Sequence, residues 1–432
     1  MIVNAVKRFR FNTLLGNLSW MMVAELLSRA SRFLTLFVLA ASFSSAEYGS
    51  IMLALMCHEI LRVFTQLGAG AMVIQCRDQE LERISGNAMT LQWSIAISVA
   101  ALQIMLAPHL ANFYANPDIE SLLVTMAVAH IIYPLVSIKV FRLQRDNRMR
   151  YFGIASGSCI AFENVLVAAL VYWEASMSMI AYSKVAAAVL WAILFFRAVP
   201  LRIRPTLDYT TLRQLLSFSS KVFGSELIRA LRWQADSLFA ARLLSPELFG
   251  VYSFAKSASL GISQSFSAAY LAGSYPYLSL QYRQGNWPRA IRLSIMVTAA
   301  VLVVYLLQAL LAPWYITLLF GERWVQAIDV AQLMCLVAIP VLIADMLALT
   351  WRVQRRVGLE FSYIALCSSL LLAVLAMMTP TTPQNMSVIV LSVSGCWVVI
   401  GIICVILPQL KYRYAGNRLK TQSPTTAMET IA

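Results

Sequence analysis

Apolar residues run through this chain in long stretches, separated by short polar links and too long to be strands. Twelve can be drawn, at about 14–40, 50–75, 86–108, 121–141, 151–173, 177–197, 214–241, 249–278, 291–313, 325–350, 358–379 and 386–408. Each is close to the ~20 residues a helix needs to cross the hydrocarbon of a bilayer. Helices suit such runs because they satisfy every backbone polar group internally, where no water can do so. The pattern predicts an all-α polytopic membrane protein with about 12 transmembrane helices.

Composition agrees. Of 432 residues, 60% are hydrophobic and 12% charged, and the mean hydropathy is +0.71. A soluble chain of that kind would expose large apolar patches. The net charge of +14 would point to nucleic acid in a soluble protein, but its distribution argues against that. Lys7, Arg8 and Arg10 precede the first stretch, and Arg77 and Arg83 follow the second. Arg142, Arg145, Arg148 and Arg150 follow the fourth; Arg197, Arg202, Arg204 and Arg213 follow the sixth. The alternation continues with Arg283, Arg289 and Arg292, then Arg352, Arg355 and Arg356, then Lys411, Arg413, Arg418 and Lys420. The opposite loops carry Arg242 and Arg323. This is the positive-inside pattern. It predicts two cytoplasmic termini, an even number of spans and no nucleic-acid partner.

The basic start and following apolar run resemble a signal peptide, but Glu25, Arg29 and Arg32 inside the run mark an uncleaved first span. The cysteines, at 57, 76, 159, 335, 367, 396 and 404, fall in spans or at their cytoplasmic ends, so no disulfide framework is expected. Nothing has metal-ligand spacing, and neither metal nor cofactor is expected.

Displaced by 201 residues, the chain matches itself: residues 14–55 fall on 215–256 with nine identities in 42 positions. "SSAEYG" at 44–49 lies over "SPELFG" at 245–250. The matched pieces are the first and seventh spans with their following loops, so six spans separate the copies and both have the same orientation. A parallel repeat of this kind predicts two six-helix lobes: residues 1–200 and 214–410, joined by a basic cytoplasmic linker at 201–213 and followed by a polar, disordered tail at 411–432.

Eight basic residues lie within the predicted spans: Arg29, Arg32, Arg62, Lys184, Lys221, Arg229, Arg232 and Lys256. Six acidic residues accompany them: Glu25, Glu59, Glu163, Glu226, Asp236 and Asp345. A charge at the centre of a membrane helix costs on the order of 2.5–3.5 kcal/mol, so these side chains must face each other, water or a ligand. At 100° per residue they form stripes: Glu25, Arg29 and Arg32 on span one; His58, Glu59, Arg62 and Gln66 on span two. Lys221, Ser225, Arg229, Arg232 and Asp236 line span seven; Lys256, Ser259, Ser263, Ser267, Tyr270 and Ser274 line span eight. A polar cavity between the lobes would receive all four.

Internal pairing competes with that reading. Glu25–Arg29 and Arg232–Asp236 are spaced i,i+4, and Glu59–Arg62 and Glu226–Arg229 i,i+3. Lys184 and Lys221 could snorkel to a helix end. His58 and His130, each alone in its span, suit core hydrogen bonds. Trp173, Trp287, Trp314, Tyr315, Trp324 and Trp351, near segment ends, suit an interfacial belt. Overall, positive charge in excess within the spans favours an anionic passenger.

The region "LSRASRFLTLFVLAASFSSAEYGSIMLAL…LGAGAMVIQ" resembles the opening of bacterial polysaccharide flippases. "ADSLFAARLLSPELFGVYSFAKS" is similar to the seventh span of that family, and "APHLANFYANPDIESLLVTMAV…FRLQRDNRMRYFGIA" to its third to fifth spans. The resemblance is to the Wzx-type polysaccharide transporter branch of the multidrug/oligosaccharidyl-lipid/polysaccharide exporter superfamily. It implies a flippase, not an enzyme, that carries undecaprenyl-pyrophosphate-linked oligosaccharide across the bacterial inner membrane by alternating access. The product would feed O-antigen or exopolysaccharide synthesis beside a glycan polymerase and chain-length machinery. Arg29, Arg32, Arg62, Arg229, Arg232 and Lys256 are then the candidate ligands for the pyrophosphate. Glu25, Glu59, Glu226 and Asp236 are the acidic partners or coupling groups. The alternatives are a drug/cation antiporter of the same superfamily, which calls for an acidic cavity, and a membrane enzyme acting on lipid-linked sugars. The outer loop at 108–121 is too short to hold a catalytic domain.

The charge pattern sets a topology test. Single cysteines at Glu47, Glu174 and Glu322, in a cysteine-free background, are expected to react with an impermeant thiol reagent from outside intact spheroplasts. One at Arg145 is expected to stay unlabelled, and its labelling would overturn the arrangement.

Overall fold

A computed structural model describes residues 27–65, 69–146, 148–198, 203–354 and 356–420, and these residues are helical nearly throughout. We label the helices α1 (27–42), α2 (Ser45–Thr65), α3 (Ala69–Gln75), α4 (Leu81–Phe113), α5 (Asp118–Ile132), α6 (Pro134–Arg145), α7 (Met149–Trp173) and α8 (Ser178–Ala198). There follow α9 (Tyr209–Leu243), α10 (Pro246–Ala258), α11 (Leu260–Arg283), α12 (Trp287–Phe320), α13 (Ile328–Val353), α14 (Val357–Met378) and α15 (Pro383–Lys420). Among the described residues seven helices are long and apolar enough to cross a membrane, or eight if the bent pair α5–α6 counts as one span.

Among the described residues, two predicted spans are not single helices. The stretch at 121–141 bends by 50° between α5 and α6, where Pro134 opens α6 and has no N–H to continue the hydrogen-bond ladder. The stretch at 249–278 breaks at Ser259 (φ −119°, ψ −79°) between α10 and α11. Carbonyls freed there find donors in side chains: the Tyr315 hydroxyl donates to Ala258 O (3.1 Å) and the Gln308 amide to Ser259 O (2.9 Å). At the far end, α15 remains helical to Lys420, past the expected boundary at 410.

The chain forms two compact units. One runs to Ala258 and takes in Ala312–Val330 and Thr379–Met386; the other holds Ser259–Leu311, Ala331–Met378 and the chain from Ser387. The most apolar stretch of α12 is 17% buried and that of residues 322–353 is 56% buried, and α12 exposes Leu310 and Leu318. Hydroxyls join α11 to α12. Ser263 donates to Gln308 Oε1 (2.8 Å), Ser267 pairs with the Tyr305 hydroxyl (2.7 Å), and the Tyr270 hydroxyl donates to Ser294 O (3.0 Å). This part of the span-eight stripe is therefore satisfied at a helix–helix contact, as polar side chains in membranes commonly are, and not left to line a cavity.

In the first unit the repeat becomes visible as structure. Ser44 and Glu47 form a capping box at the start of α2, with Ser44 N–H donating to Glu47 Oε2 (2.8 Å) and Glu47 N–H to Ser44 Oγ (3.3 Å). In the second copy Ser245 accepts from the Leu248 N–H (3.4 Å) at the start of α10. The two capped helices cross at their matched glycines. A Cβ on Gly250 would lie 1.7 Å from Ser45 O, and one on Gly49 would lie 2.8 Å from Pro246 O. Beside the crossing, Phe254 stacks on Trp324 at 3.9 Å, and the Trp324 indole donates to Ala40 O (3.0 Å). Trp324 and Trp351 are thus buried rather than interfacial, whereas Trp173 and Trp314 are exposed.

Basic residues at the predicted cytoplasmic side close helix ends. Arg145 donates to the carbonyls of Val73, Ile74 and Cys76 at the end of α3, and to Asp78 (2.6 Å). Arg145 is mostly buried, so the exposed Arg148 is a sharper inner position for thiol labelling. The segment before α9 is pinned to α4: Thr206 N–H donates to Gly86 O (3.2 Å), Asn87 to Thr206 Oγ1 (3.1 Å), and Asp208 N–H to Asn87 Oδ1 (2.7 Å). Asp208 then caps α9, accepting from Thr211 and Thr210, and these hydrogen bonds bring its carboxyl down to about 2. The cap stays ionised at any pH near neutral.

The glycine crossing sets a packing test. Gly250→Ala forces backbone against backbone and is expected to cost about 1–3 kcal/mol, read as a lower unfolding temperature in detergent. Gly273→Ala, whose Cβ meets nothing within 4 Å, is expected to leave that temperature unchanged.

Candidate functional site: charges within the membrane helices

The first unit brings several of the charged stripes together. On α1, Ser31 and Thr35 face α7: Asn164 donates to Ser31 Oγ (2.8 Å), and Thr35 Oγ1 donates to Asn164 Oδ1 (2.9 Å). This contact turns Arg32 away from α7, where it is exposed and, among the described residues, makes no ion pair; Arg29 is half-buried. Glu25 lies outside the described residues, as does Gln66 on span two. Nothing is described of the side chains of Lys221, Ser225, Glu226 and Arg229, although their backbone is helical.

On α2 the expected Glu59–Arg62 pair forms. The Arg62 Nε donates to Glu59 Oε2 at 2.7 Å, and a terminal nitrogen of the same guanidinium approaches at 2.7 Å. Lys184, which the sequence offered as a snorkelling residue, instead points into the protein. Its ammonium lies 2.9 Å from Glu163 on α7 and 3.2 Å from the other oxygen of Glu59. One lysine from α8 thereby ties α2 to α7. A lysine buried to this degree needs a carboxylate to compensate its charge, and Lys184 has two within reach. Arg62 and Glu59 keep 39% and 33% of their side-chain surface accessible.

On α9 and α10 the pairing also crosses helices. Lys256 approaches both oxygens of Asp236 (2.7 and 2.8 Å), Ser237 Oγ (2.8 Å) and Trp233 O (3.2 Å). The Tyr252 hydroxyl donates to Asp236 Oδ2 (2.6 Å). An ammonium has three protons to give, and here they are taken up within the protein. Lys256 is therefore not available to a pyrophosphate in this conformation. Arg232 is half-buried on the same helix as Asp236.

The sequence pointed to span two and to Asp236, but not to Lys184–Glu163 or Tyr252. Those partners come from helices 16 to 125 positions away in the chain, a distance at which spacing carries no signal.

The chain belongs to the polysaccharide biosynthesis protein family, whose model matches residues 38–329. It is 24% identical over 336 residues to the succinoglycan biosynthesis transport protein ExoT of Rhizobium meliloti (strain 1021), an alignment covering 75% of this chain and 66% of that one. It is 20% identical over 357 residues to the lipopolysaccharide biosynthesis protein WzxC of Escherichia coli (strain K12), covering 80% of this chain and 70% of that one. The chain thus spans about two-thirds of the length of these relatives. Its fold is similar to that of the lipid II flippase MurJ in an inward closed conformation, with a TM-score of 0.69, 11% identity and coverage of 89% of this chain and 87% of that one. The fold class is that expected from the apolar pattern: an all-α multi-pass membrane protein, with the two-lobe, twelve-helix architecture of those transporters.

The Lys184 contacts set a stability test. Lys184→Met leaves Glu59 and Glu163 without their shared cation and is expected to cost about 3–5 kcal/mol, measured by heat unfolding in detergent. Adding Glu163→Gln is expected to recover much of that loss; no recovery would mean that Lys184 acts through packing alone.

Proposed function

We propose that this member of the polysaccharide biosynthesis protein family flips a lipid-linked oligosaccharide, carried on undecaprenyl pyrophosphate, from the inner to the outer leaflet of the bacterial inner membrane. The reading assigns both termini to the cytoplasm and the product to O-antigen or exopolysaccharide assembly, beside a glycan polymerase. The observation that carries it is the imbalance left after pairing. Glu59, Glu163 and Asp236 are each already held by a lysine or arginine, while Arg32 stands exposed on a membrane helix without an ion pair among the described residues. A cationic drug would need acidic side chains to spare. A pyrophosphate needs guanidinium, which meets its oxygens in a bidentate fork.

In this reading Arg29, Arg32, Arg229 and Arg232 take the pyrophosphate, with the partly accessible Arg62 contributing from α2. Lys256 and Asp236 position α9 against α10. Because Arg62 is already bound to Glu59, the anion competes with a carboxylate for it. That competition limits affinity, and cargo moves only when its affinity differs between the two facing states.

The test uses cells whose surface glycan depends on this protein. Arg232→Lys is expected to retain part of the export, because the charge survives while the fork is lost. Arg232→Ala is expected to abolish it at normal abundance in the membrane. Intact export after alanine replacement of Arg29, Arg32, Arg229 and Arg232 together would show that these charges are structural.

A further inference from the structure

The chain has three histidines. His109 is exposed near the end of α4, while His58 on α2 and His130 on α5 are completely buried. The two buried rings stack, with centroids 4.6 Å apart and planes inclined by 23°. Between them sits Gln103 of α4, also fully buried. Its Oε1 lies 3.2 Å from His58 Nδ1 and 2.8 Å from His130 Nε2, and its Nε2 donates to Leu123 O at 2.6 Å.

This geometry fixes the protons. The carbonyl of Leu123 can only accept, so the Gln103 nitrogen must face it and the Gln103 oxygen must face the two rings. An amide oxygen also only accepts, so both imidazoles donate to it. His58 is then the Nδ1–H tautomer and His130 the Nε2–H tautomer. Each ring keeps one lone pair, on His58 Nε2 and His130 Nδ1, and both of these atoms are buried with no hydrogen-bond partner. Buried polar atoms without partners are rare and call for an explanation. Core histidines that merely fasten helices would not need two orphaned basic nitrogens in one stack.

The charges around the pair are balanced. Facing the pair are Glu59 and Arg62 on α2 and Lys184 on α8. Glu163 on α7 holds Lys184 from behind, and the Tyr133 hydroxyl, between α5 and α6, lies within electrostatic range of all four. Two carboxylates balance two cations, so the cluster is neutral as it stands. Asp236 and Lys256, on the helices packed against α2, neutralise each other. A proton on either ring would therefore add an uncompensated charge beside Glu59, in competition with Lys184 and Arg62. A second proton would place two imidazoliums in contact, so the pair accepts one.

We propose that the stacked His58–His130 pair, with Gln103, is a proton-binding site that takes one proton from water and returns it during each transport cycle. The conformation described here is its proton-free state. The proton site stands on the geometry; its use in transport rests on the flippase reading. There, one added positive charge beside Glu59 frees Arg62 for the anionic head group, so proton and pyrophosphate favour the same state.

The site is read first without cargo. Protein carrying His109→Asn and 15N-labelled histidine, in nanodiscs, leaves these two imidazoles as the sole ring signals. At about pH 9 one ring is expected to be Nδ1–H and the other Nε2–H, and between there and about pH 4 the pair is expected to take up about one proton jointly. Two rings of the same tautomer, two rings neutral throughout, or two independent protons would each overturn the site. Transport coupling is read with undecaprenyl pyrophosphate added to weakly buffered protein containing a pH indicator. Wild type is expected to take up about one proton per chain on binding, and the His58→Asn/His130→Asn variant to bind the lipid with no proton uptake. Equal uptake by both would overturn the coupling. Failure of the wild type to bind the lipid would instead overturn the flippase reading, with the ring titration still deciding the proton site.

Discussion

A polar group inside a membrane protein has no water to fall back on, and the rest of this structure depends on that constraint. An unpaired charge or backbone carbonyl in hydrocarbon costs several kcal/mol, so each one must find a partner or reach a wet surface. Lys184 reaches two carboxylates on two other helices. The carbonyls exposed where α10 gives way to α11 are met by the side chains of Tyr315 and Gln308. Arg145 gathers the carbonyls that end α3. These contacts also determine which helices are neighbours, because apolar faces alone do not distinguish one helix from another when lipid is as apolar as leucine.

Where helices approach most closely, small residues take over from charges. Gly49 and Gly250 allow two backbones to meet at a distance that any side chain would forbid. The same positions correspond in the repeat, each following a serine that caps its helix. The duplicated motif is thus a unit of capped helix and glycine contact. One pair of short segments, repeated, makes the crossing of α2 with α10, and the aromatic stack of Phe254 on Trp324 fills the space beside it.

Pairing also shapes what the protein can bind. Glu59, Glu163 and Asp236 are each engaged by a cation, and Lys256 is engaged by Asp236. Arginines are left as the groups that can still change partners, because a guanidinium has five donors and keeps some free after one carboxylate has docked. The Arg62–Glu59 pair, partly accessible, shows both properties together. In the proposed reading, such a pair is already satisfied when empty and gains only moderately from an anionic ligand, which suits a carrier that must release what it binds.

Much of the architecture was legible in the sequence. Length and apolarity of the stretches imply helices and a bilayer, and the alternation of basic loops implies a sidedness, because both follow from transfer free energies that add along the chain. The pairing of Glu59 with Arg62 was legible for the same reason: both lie on one helix turn. The break at Ser259 was not, since a helix interrupted within an apolar run keeps its hydropathy. Nor were the cross-helix partners. Lys184 with Glu163, Lys256 with Asp236, and His58 with Gln103 and His130 join residues whose separation along the chain carries no periodic signal. Hydropathy placed these groups in the membrane one residue at a time; only packing, which acts between residues on different helices, decided which of them meet.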